Sequence, residues 1–194
     1  MSLRITLGNK KPLEIDLNGS NKVIYQKNNC LIESGKDISH YSIGKSKLFI
    51  YGRVVGVKLG KSNLAEISSN LAQELSKCLT PAHVKVLIKK IEGRFIYILV
   101  NGANIEIGAD SLGEIDLYYQ HDNDYIVLAS DLGLLPFTKN KNIQYDQVGV
   151  AHSLYVYGYR PAKKHTLYKN IKRLGVHERI EWKNEKFNLL KNKS

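Results

Sequence analysis

The histidines and cysteines are the side chains of this chain that could hold a metal ion. No two histidines stand at positions i and i+4, and no cysteine–histidine pair has the spacing of a zinc site. Cys30 and Cys78 form neither a metal-ligand pair nor a disulfide framework. We therefore expect no metal site and interpret both cysteines as small core residues. The six histidines are His40, His83, His121, His152, His165 and His177.

Three carboxylates beside Gly113 could support proton transfer. Asp110, Glu114 and Asp116 are close together in the sequence, and a positioned carboxyl group can act as a general acid or base. The chain contains neither G-x-x-x-x-G-K nor S-G-G-x-D-S, the patterns that bind nucleotide phosphates. No motif therefore implies a cofactor.

The charge of the chain is unevenly distributed around a formal net value of +11. Residues 101–150 hold two basic and eight acidic side chains, whereas residues 151–194 hold eleven basic and three acidic ones. The basic end could bind nucleic acid or another polyanion. Its lysines are spread out and form no compact arginine cluster, which favours an ordinary solvated surface. We therefore do not expect nucleic acid as a partner.

Length and hydropathy predict a globular protein. The 194 residues fit one large domain or two small ones, and 43% hydrophobic residues can bury a substantial core. No run of 18 apolar residues and no apolar N-terminal stretch is present. We expect a cytoplasmic location without a membrane partner.

Alternating and glycine-punctuated segments predict strands at both ends of the chain. Asn101-Gly102 predicts a hairpin turn, because Asn-Gly favours the tight turns that join antiparallel strands. The predicted strands are 4–7, 13–17, 23–26, 30–33, 47–59, 95–101, 104–109, 117–121 and 125–129, with a final hairpin over 179–189.

Two helices are predicted between the strands, and a third follows at 147–155. The first has an apolar stripe of Leu64, Ile67, Leu71 and Leu75 at helical spacing. The second begins at Thr80-Pro81, an N-cap followed by proline at the first position, and is expected to stop at Gly93. Its apolar stripe is Val84, Leu87, Ile88 and Ile91. Strands, a helical pair and more strands predict one α+β domain.

The order of these strands resembles the glutamine amidotransferase domain of the asparagine synthetase family. That family reads roughly L-x-G-x-F-A-F-x-x-x-D, then R-D-x-x-G-x-x-P-L-Y-Y, then F-A-S-E. Here residues 91–101 read I-E-G-R-F-I-Y-I-L-V-N, residues 109–119 read A-D-S-L-G-E-I-D-L-Y-Y and residues 128–131 read L-A-S-D. Further likeness lies in G-Y-R-P at 158–161, T-L-Y at 166–168 and I-K-R-L at 171–174.

The resemblance implies a fold and a chemistry. The fold is an Ntn-hydrolase-like four-layer αββα sandwich with two mainly antiparallel sheets, formed by residues 1–194 as a single domain. The chemistry is glutamine hydrolysis by an N-terminal cysteine whose own α-amine is the base. This chain has Ser2 and Leu3 where the family has cysteine and glycine. We assign no catalytic residue and keep Ser2 as a candidate; Asp110 is expected to be structural.

The family's substrate contacts are also largely replaced. Where the family has its oxyanion-binding N-G, this chain has Tyr51-Gly52, which we regard as a substrate-binding remnant. Its carboxylate-binding arginine falls in the stretch around Lys36, and a lysine lacks the bidentate fork. Its amine-binding acid would fall at 79–82, where there is no carboxylate. Loss of one oxyanion donor typically costs ~10²–10³ in rate.

Three functions follow from these observations. The preferred one is an inactive amidotransferase-like scaffold or docking domain for an ATP-dependent, asparagine-synthetase-like amide-forming domain or protein. The second is an active amidotransferase or amidohydrolase that uses its N-terminal residue. The third is a polyanion-binding module that uses the basic C-terminal segment. Association of the chain with itself as a homo-oligomer is left open.

Overall fold

The computed structural model describes residues 2–8, 21–27, 29–36, 38–59, 66–68, 70–78, 80–122, 124–136, 144–155 and 165–191. Its strands form two sheets, and every strand pair among the described residues is antiparallel. The strands are accompanied by three short α-helices. The predicted α+β class with two antiparallel sheets is therefore confirmed. No helix in these ranges has the length and apolarity that crossing a bilayer requires.

The chain divides into two compact units, neither of which is one continuous stretch. The first unit contains residues 1–37 and 116–175, and the second contains residues 38–115 and 176–194. The chain thus passes between the units three times. The assignment of residues 1–194 to a single domain stays a prediction.

The first unit contains a six-stranded sheet in the order β11-β9-β10-β1-β3-β2. Strand β1 is internal, because β3 pairs with one edge and β10 with the other. Leu3, Ile5 and Leu7 of β1 have no exposed surface. The strands are β1 (Leu3–Gly8), β2 (Lys22–Lys27), β3 (Cys30–Ser34), β9 (Tyr118–His121), β10 (Tyr125–Ala129) and β11 (Lys172–Arg173). Helix α3 (Gln147–Tyr155) belongs to the same unit.

The second unit contains a seven-stranded sheet in the order β13-β12-β8-β7-β5-β4, with β6 beside β5. The predicted hairpin joins β7 to β8, but Asn101 pairs with Asn104, so the two central residues of its turn are Gly102 and Ala103 instead of Asn101 and Gly102. Gly102 has φ +61°, which suits a glycine at the first central position. The final predicted hairpin is present as β12 and β13. The strands are β4 (Ser39–Ile43), β5 (Ser46–Leu59), β6 (Glu66–Ser68), β7 (Ile91–Asn101), β8 (Asn104–Ala109), β12 (Glu178–Lys183) and β13 (Lys186–Lys191).

The two predicted helices of the second unit are shorter than expected. Helix α1 spans Leu71–Ser76. Ile67 was expected on its apolar stripe but lies in β6, which pairs with β5, and Leu64 lies outside the described residues. Helix α2 spans Pro81–Ile88, and Gly93 lies inside β7 instead of ending the helix. Apolar residues three or four apart fit a buried strand as well as a helix, so their spacing alone could not separate the two.

The N-terminus of α2 is formed as the sequence predicted. Thr80 has an extended backbone, and its hydroxyl oxygen accepts a hydrogen bond from the His83 N–H at 3.3 Å. Pro81 occupies the first turn, where its missing N–H costs nothing. The helix buries Val84, Leu87 and Ile88 in the main apolar core of the second unit. The predicted strand 13–17 and the loop 158–161 lie outside the described residues.

Helix α2 offers a matched test of which face lies against the sheet. Val84 has no exposed surface, whereas Val86 is 58% exposed on the same helix. We expect Val84→Ala to lower the free energy of unfolding by about 2 kcal/mol, through lost burial and the cavity that remains. Val86→Ala should change it by less than about 0.5 kcal/mol. Urea unfolding measures both, and equal effects would contradict the orientation of α2.

Candidate functional site

Ser2 lies immediately before β1 in the first unit, partly exposed. Its hydroxyl donates a hydrogen bond to Oδ1 of Asn21 at 2.6 Å. Its carbonyl oxygen accepts hydrogen bonds from the Gly35 N–H at 3.0 Å and the Ser34 hydroxyl at 3.2 Å. The structure therefore places the candidate nucleophile beside the 34–36 stretch, to which the family resemblance assigns substrate binding.

The A-S-D segment after β10 also reaches this point. The Leu3 N–H donates to the Ser130 hydroxyl oxygen at 2.9 Å, and the Ser130 N–H donates to the Leu3 carbonyl at 3.0 Å. We call Ser2, Asn21, Ser34, Gly35 and Ser130 the N-terminal cluster. Three serine hydroxyls and an amide meet here, and sequence separations of up to 127 residues are bridged. No pairwise spacing in the sequence could have shown this convergence.

The hydrogen bonds of the cluster limit what Ser2 can do. As long as its hydroxyl donates to Asn21, its proton is directed to an amide oxygen, which is a poor base. Activation needs a neighbouring amine or imidazole to accept that proton. In this chain the amine would be that of Ser2 itself after removal of the initiator methionine. Lys36, the remaining cation of the predicted substrate stretch, is exposed.

A buried ion pair lies two residues beyond Ser2, and sequence reasoning missed it. Arg4 of β1 is paired in register with Glu33 of β3, and its Nε and Nη2 atoms lie 2.7 and 2.6 Å from Glu33 Oε2. Both residues are less than 10% exposed. Glu33 neutralises the charge of Arg4, so Arg4 is not free to bind the carboxylate of a substrate. The sequence does contain a signal for this pair, because Arg4 and Glu33 are opposite charges within mainly apolar strand segments.

The cysteines lie where core residues were expected. Cys30 is buried in β3, and burial raises the pKa of its thiol to about 12. Cys78 packs against the core of the second unit, and burial together with nearby Glu74 raises the pKa of its thiol as well. Neither thiol forms a reactive thiolate readily near neutral pH.

Tyr51 and Gly52 lie in β5 of the second unit. Tyr51 is 3% exposed and pairs with Ile96 of β7. Gly52 has φ +119°, and a Cβ there would approach the Arg94 carbonyl and the Ile115 side chain inside contact distance. The close pairing of β5 and β7 thus accounts for a glycine at position 52 without any substrate.

The three carboxylates near Gly113 have separate structural partners. Asp110 is buried, and its carboxylate accepts hydrogen bonds from the N–H groups of Phe95, Leu112 and Gly113 at 2.9 to 3.2 Å. The structural role predicted for Asp110 is therefore confirmed. Asp116 accepts from Arg173 and from the Tyr118 hydroxyl, both at 3.1 Å. Glu114 lies 4.0 Å from Arg94 on the surface.

The histidines do not gather around a common point in the part of the chain that the structure describes. No group of three or more histidine, cysteine, aspartate or glutamate side chains there could hold a metal ion. His165 lies 3.4 Å from Asp146, whose other oxygen accepts from the N–H groups that begin α3. Hydrogen bonds from Gly149, then from His165 and Val148, lower the pKa of Asp146.

Comparison with known proteins gives a distant likeness to solved structures. One is the glutamine phosphoribosylpyrophosphate amidotransferase of B. subtilis with ADP and GMP, at 13% identity and a TM-score of 0.48. Another is an allosteric regulatory enzyme of purine biosynthesis, at 12% identity and a TM-score of 0.49. Each alignment covers 98% of this chain and 42% of the other. No protein-family model matches, and no curated protein matches.

Gly52 can be tested against a glycine that shares its positive φ but not its crowding. Gly102 has φ +61°, and a Cβ added to it would meet no atom within 4 Å. We expect Gly102→Ala to cost about 1 kcal/mol through backbone strain alone. Gly52→Ala should cost at least about 2 kcal/mol more, because the β5–β7 pairing must open and because φ +119° is less accessible to alanine than φ +61°. Thermal and urea unfolding measure the difference, and similar costs would rule out crowding at Gly52.

The buried state of Cys30 predicts its reactivity. At pH 8 we expect the native chain to react with a thiol reagent at Cys78 only, since Cys30 is both inaccessible and protonated. Both should react in denaturant. Because folding raises the pKa of Cys30, its contribution to stability is complete below pH ~9 and declines as the pH rises towards 12. Mass spectrometry of the labelled chain checks the assignment, and Cys78→Ser supplies the single-thiol control.

Proposed function

We propose that this chain is a non-catalytic, glutamine-amidotransferase-like domain that acts as a scaffold for an ATP-dependent, asparagine-synthetase-like amide-forming domain or protein. The observation that carries the proposal is the state of Ser2. Where an amidotransferase needs a thiol beside a free amine, this chain has a hydroxyl that donates to Asn21. The family has a glycine at the next position. This chain has Leu3 there, and its side chain is fully buried in the sheet.

The residues that stand at the family's substrate-binding positions support the same proposal. Arg4 is the arginine nearest to Ser2 along β1, and it already forms an ion pair with Glu33. Lys36 is exposed and can provide only a point charge. Tyr51 carries a buried phenol where the family has an amide donor. Replacement of the nucleophile, the oxyanion donor and the carboxylate clamp together removes the means to stabilise a tetrahedral intermediate.

The docking part of the proposal rests on α3 in the first unit. This helix buries only Gly149 and Ser153 completely. Val148 and Leu154 are 57% and 58% exposed, and Tyr155 is 86% exposed. An amphipathic helix normally turns its apolar side chains inward, so an outward apolar surface is typical of a binding face. We place the contact with the amide-forming partner here.

Glutamine hydrolysis is the first test. The chain should be expressed from its native start, with mass spectrometry establishing whether Met1 is removed. We expect ammonia release from glutamine to be indistinguishable from that of Ser2→Ala. Turnover that Ser2→Ala abolishes would establish the alternative, an active amidohydrolase.

Binding is the second test. The probe is a protein from the same genome that carries the S-G-G-x-D-S nucleotide motif, mixed with the full chain in sedimentation velocity. We expect a complex that the double change Leu154→Glu and Tyr155→Glu weakens at least about tenfold. Leu112→Glu is the matched control, because Leu112 is 69% exposed in the second unit. Absence of a complex, or equal weakening by the control, would exclude docking through α3.

A further inference from the structure

The second unit contains a cavity that no sequence motif indicated. It has a volume of about 380 Å³ and lies beside the end of α2, against strands β7, β8 and β12. Pockets that bind small molecules typically begin at roughly 300 Å³. Its walls include Tyr97, Glu106 and Arg179 from the sheet and Lys85 and Lys89 from the end of α2. The rest of the lining consists of Ile88, Ile91, Ala109, Asp110, Ser111, His177 and Glu178.

Gly108 leaves room for the ring of Tyr97, one of the residues that line this cavity. In the sheet it pairs with Tyr97 on one side and Arg179 on the other, so it lies between two long side chains. A Cβ at Gly108 would lie 2.6 Å from the Tyr97 ring. The missing side chain lets the tyrosine ring lie over the strand, with its hydroxyl directed to Glu106 at 3.1 Å.

Three carboxylates line the cavity, Glu106, Asp110 and Glu178, and each of them interacts with other groups of the protein. Glu106 is 6% exposed, receives the Tyr97 hydroxyl and forms ion pairs with Lys85 and, at 3.8 Å, with Arg179. Asp110 uses its carboxylate on three backbone N–H groups. A ligand that offers donors, such as an amine, would therefore have to break existing contacts of these carboxylates.

Three polar side chains of the lining, all of them exposed, have spare hydrogen-bonding capacity, and each of them can donate a hydrogen bond. Among the described residues, Lys89 forms no ion pair, and neither the Ser111 hydroxyl nor the His177 ring has a hydrogen-bond partner. These three groups line the same cavity as Lys85 and Arg179, which Glu106 holds in place. An unpaired lysine beside two side chains that can each donate a hydrogen bond is suited to an acceptor-rich, negatively charged group.

We propose that this cavity binds a small anion or the anionic group of a small metabolite, a phosphate or a carboxylate, through Lys89, Ser111 and His177. The site is independent of the N-terminal cluster and of glutamine chemistry. It would give the domain a way to recognise a phosphorylated or carboxylated compound even without catalysis.

The test uses the full chain and two probes, inorganic phosphate and citrate, at constant ionic strength. We expect at least one probe to shift the amide NMR signals of Ser111 and His177 in a saturable manner. Lys89→Ala should weaken the apparent affinity at least about fivefold, because it removes an unpaired cation from the cavity. Lys90→Ala is the matched control: it makes the same charge change at the adjacent exposed residue, which does not line the cavity.

Ser111→Glu gives an independent check, because it places a carboxylate where the ligand's negative charge should lie. We expect it to abolish the shifts while the unfolding midpoint stays close to that of the unaltered chain. Phosphate binding without citrate binding would assign a phosphate site, and the reverse a carboxylate site. Equal effects of Lys89→Ala and Lys90→Ala would overturn the proposal. So would shifts spread along the basic strand β13, or no saturable shift with either probe.

Discussion

The first unit depends on strand β1 being paired along both edges. Its backbone groups are buried, so each N–H and C=O needs a partner within the protein. Strand β3 supplies one set of partners and β10 the other. The same requirement fixes the start of the chain, because Ser130 and Gly35 bond to the backbone of Leu3 and Ser2. The hydrogen bonds of the N-terminal cluster thus serve first to complete the end of this sheet.

This constraint explains why the site has to be interpreted from its contacts. A hydroxyl at Ser2 is held by the same loops that complete the sheet, so its position alone does not indicate chemistry. What distinguishes a nucleophile is a base to accept its proton and donors to receive the oxyanion. Around Ser2 the structure shows an amide acceptor, a buried Arg4–Glu33 pair and an exposed lysine.

The sequence predicted local structure better than the site. The Thr80-Pro81 helix start and the two hairpins act through short-range chemistry and are found in the structure, although the turn of the first hairpin is centred one residue later than predicted, on Gly102 and Ala103. The stripe from Leu64 to Leu75 was misassigned in part, since a spacing of three or four residues is also compatible with two short elements. The Arg4–Glu33 pair and the cavity above Gly108 were missed. Both depend on strand register, which composition and periodicity do not determine.

The pairing of β1 with β10 also bears on how the protein is made. Leu3 and Ser130 are 127 residues apart, so a nascent chain exposes one edge of an apolar strand until the second half has left the ribosome. At ~5–20 residues per second this wait lasts roughly 6 to 25 s. During that interval an unpaired edge can pair with another chain. The sheet of the first unit is therefore completed late in synthesis, and until then β1 keeps one unpaired edge.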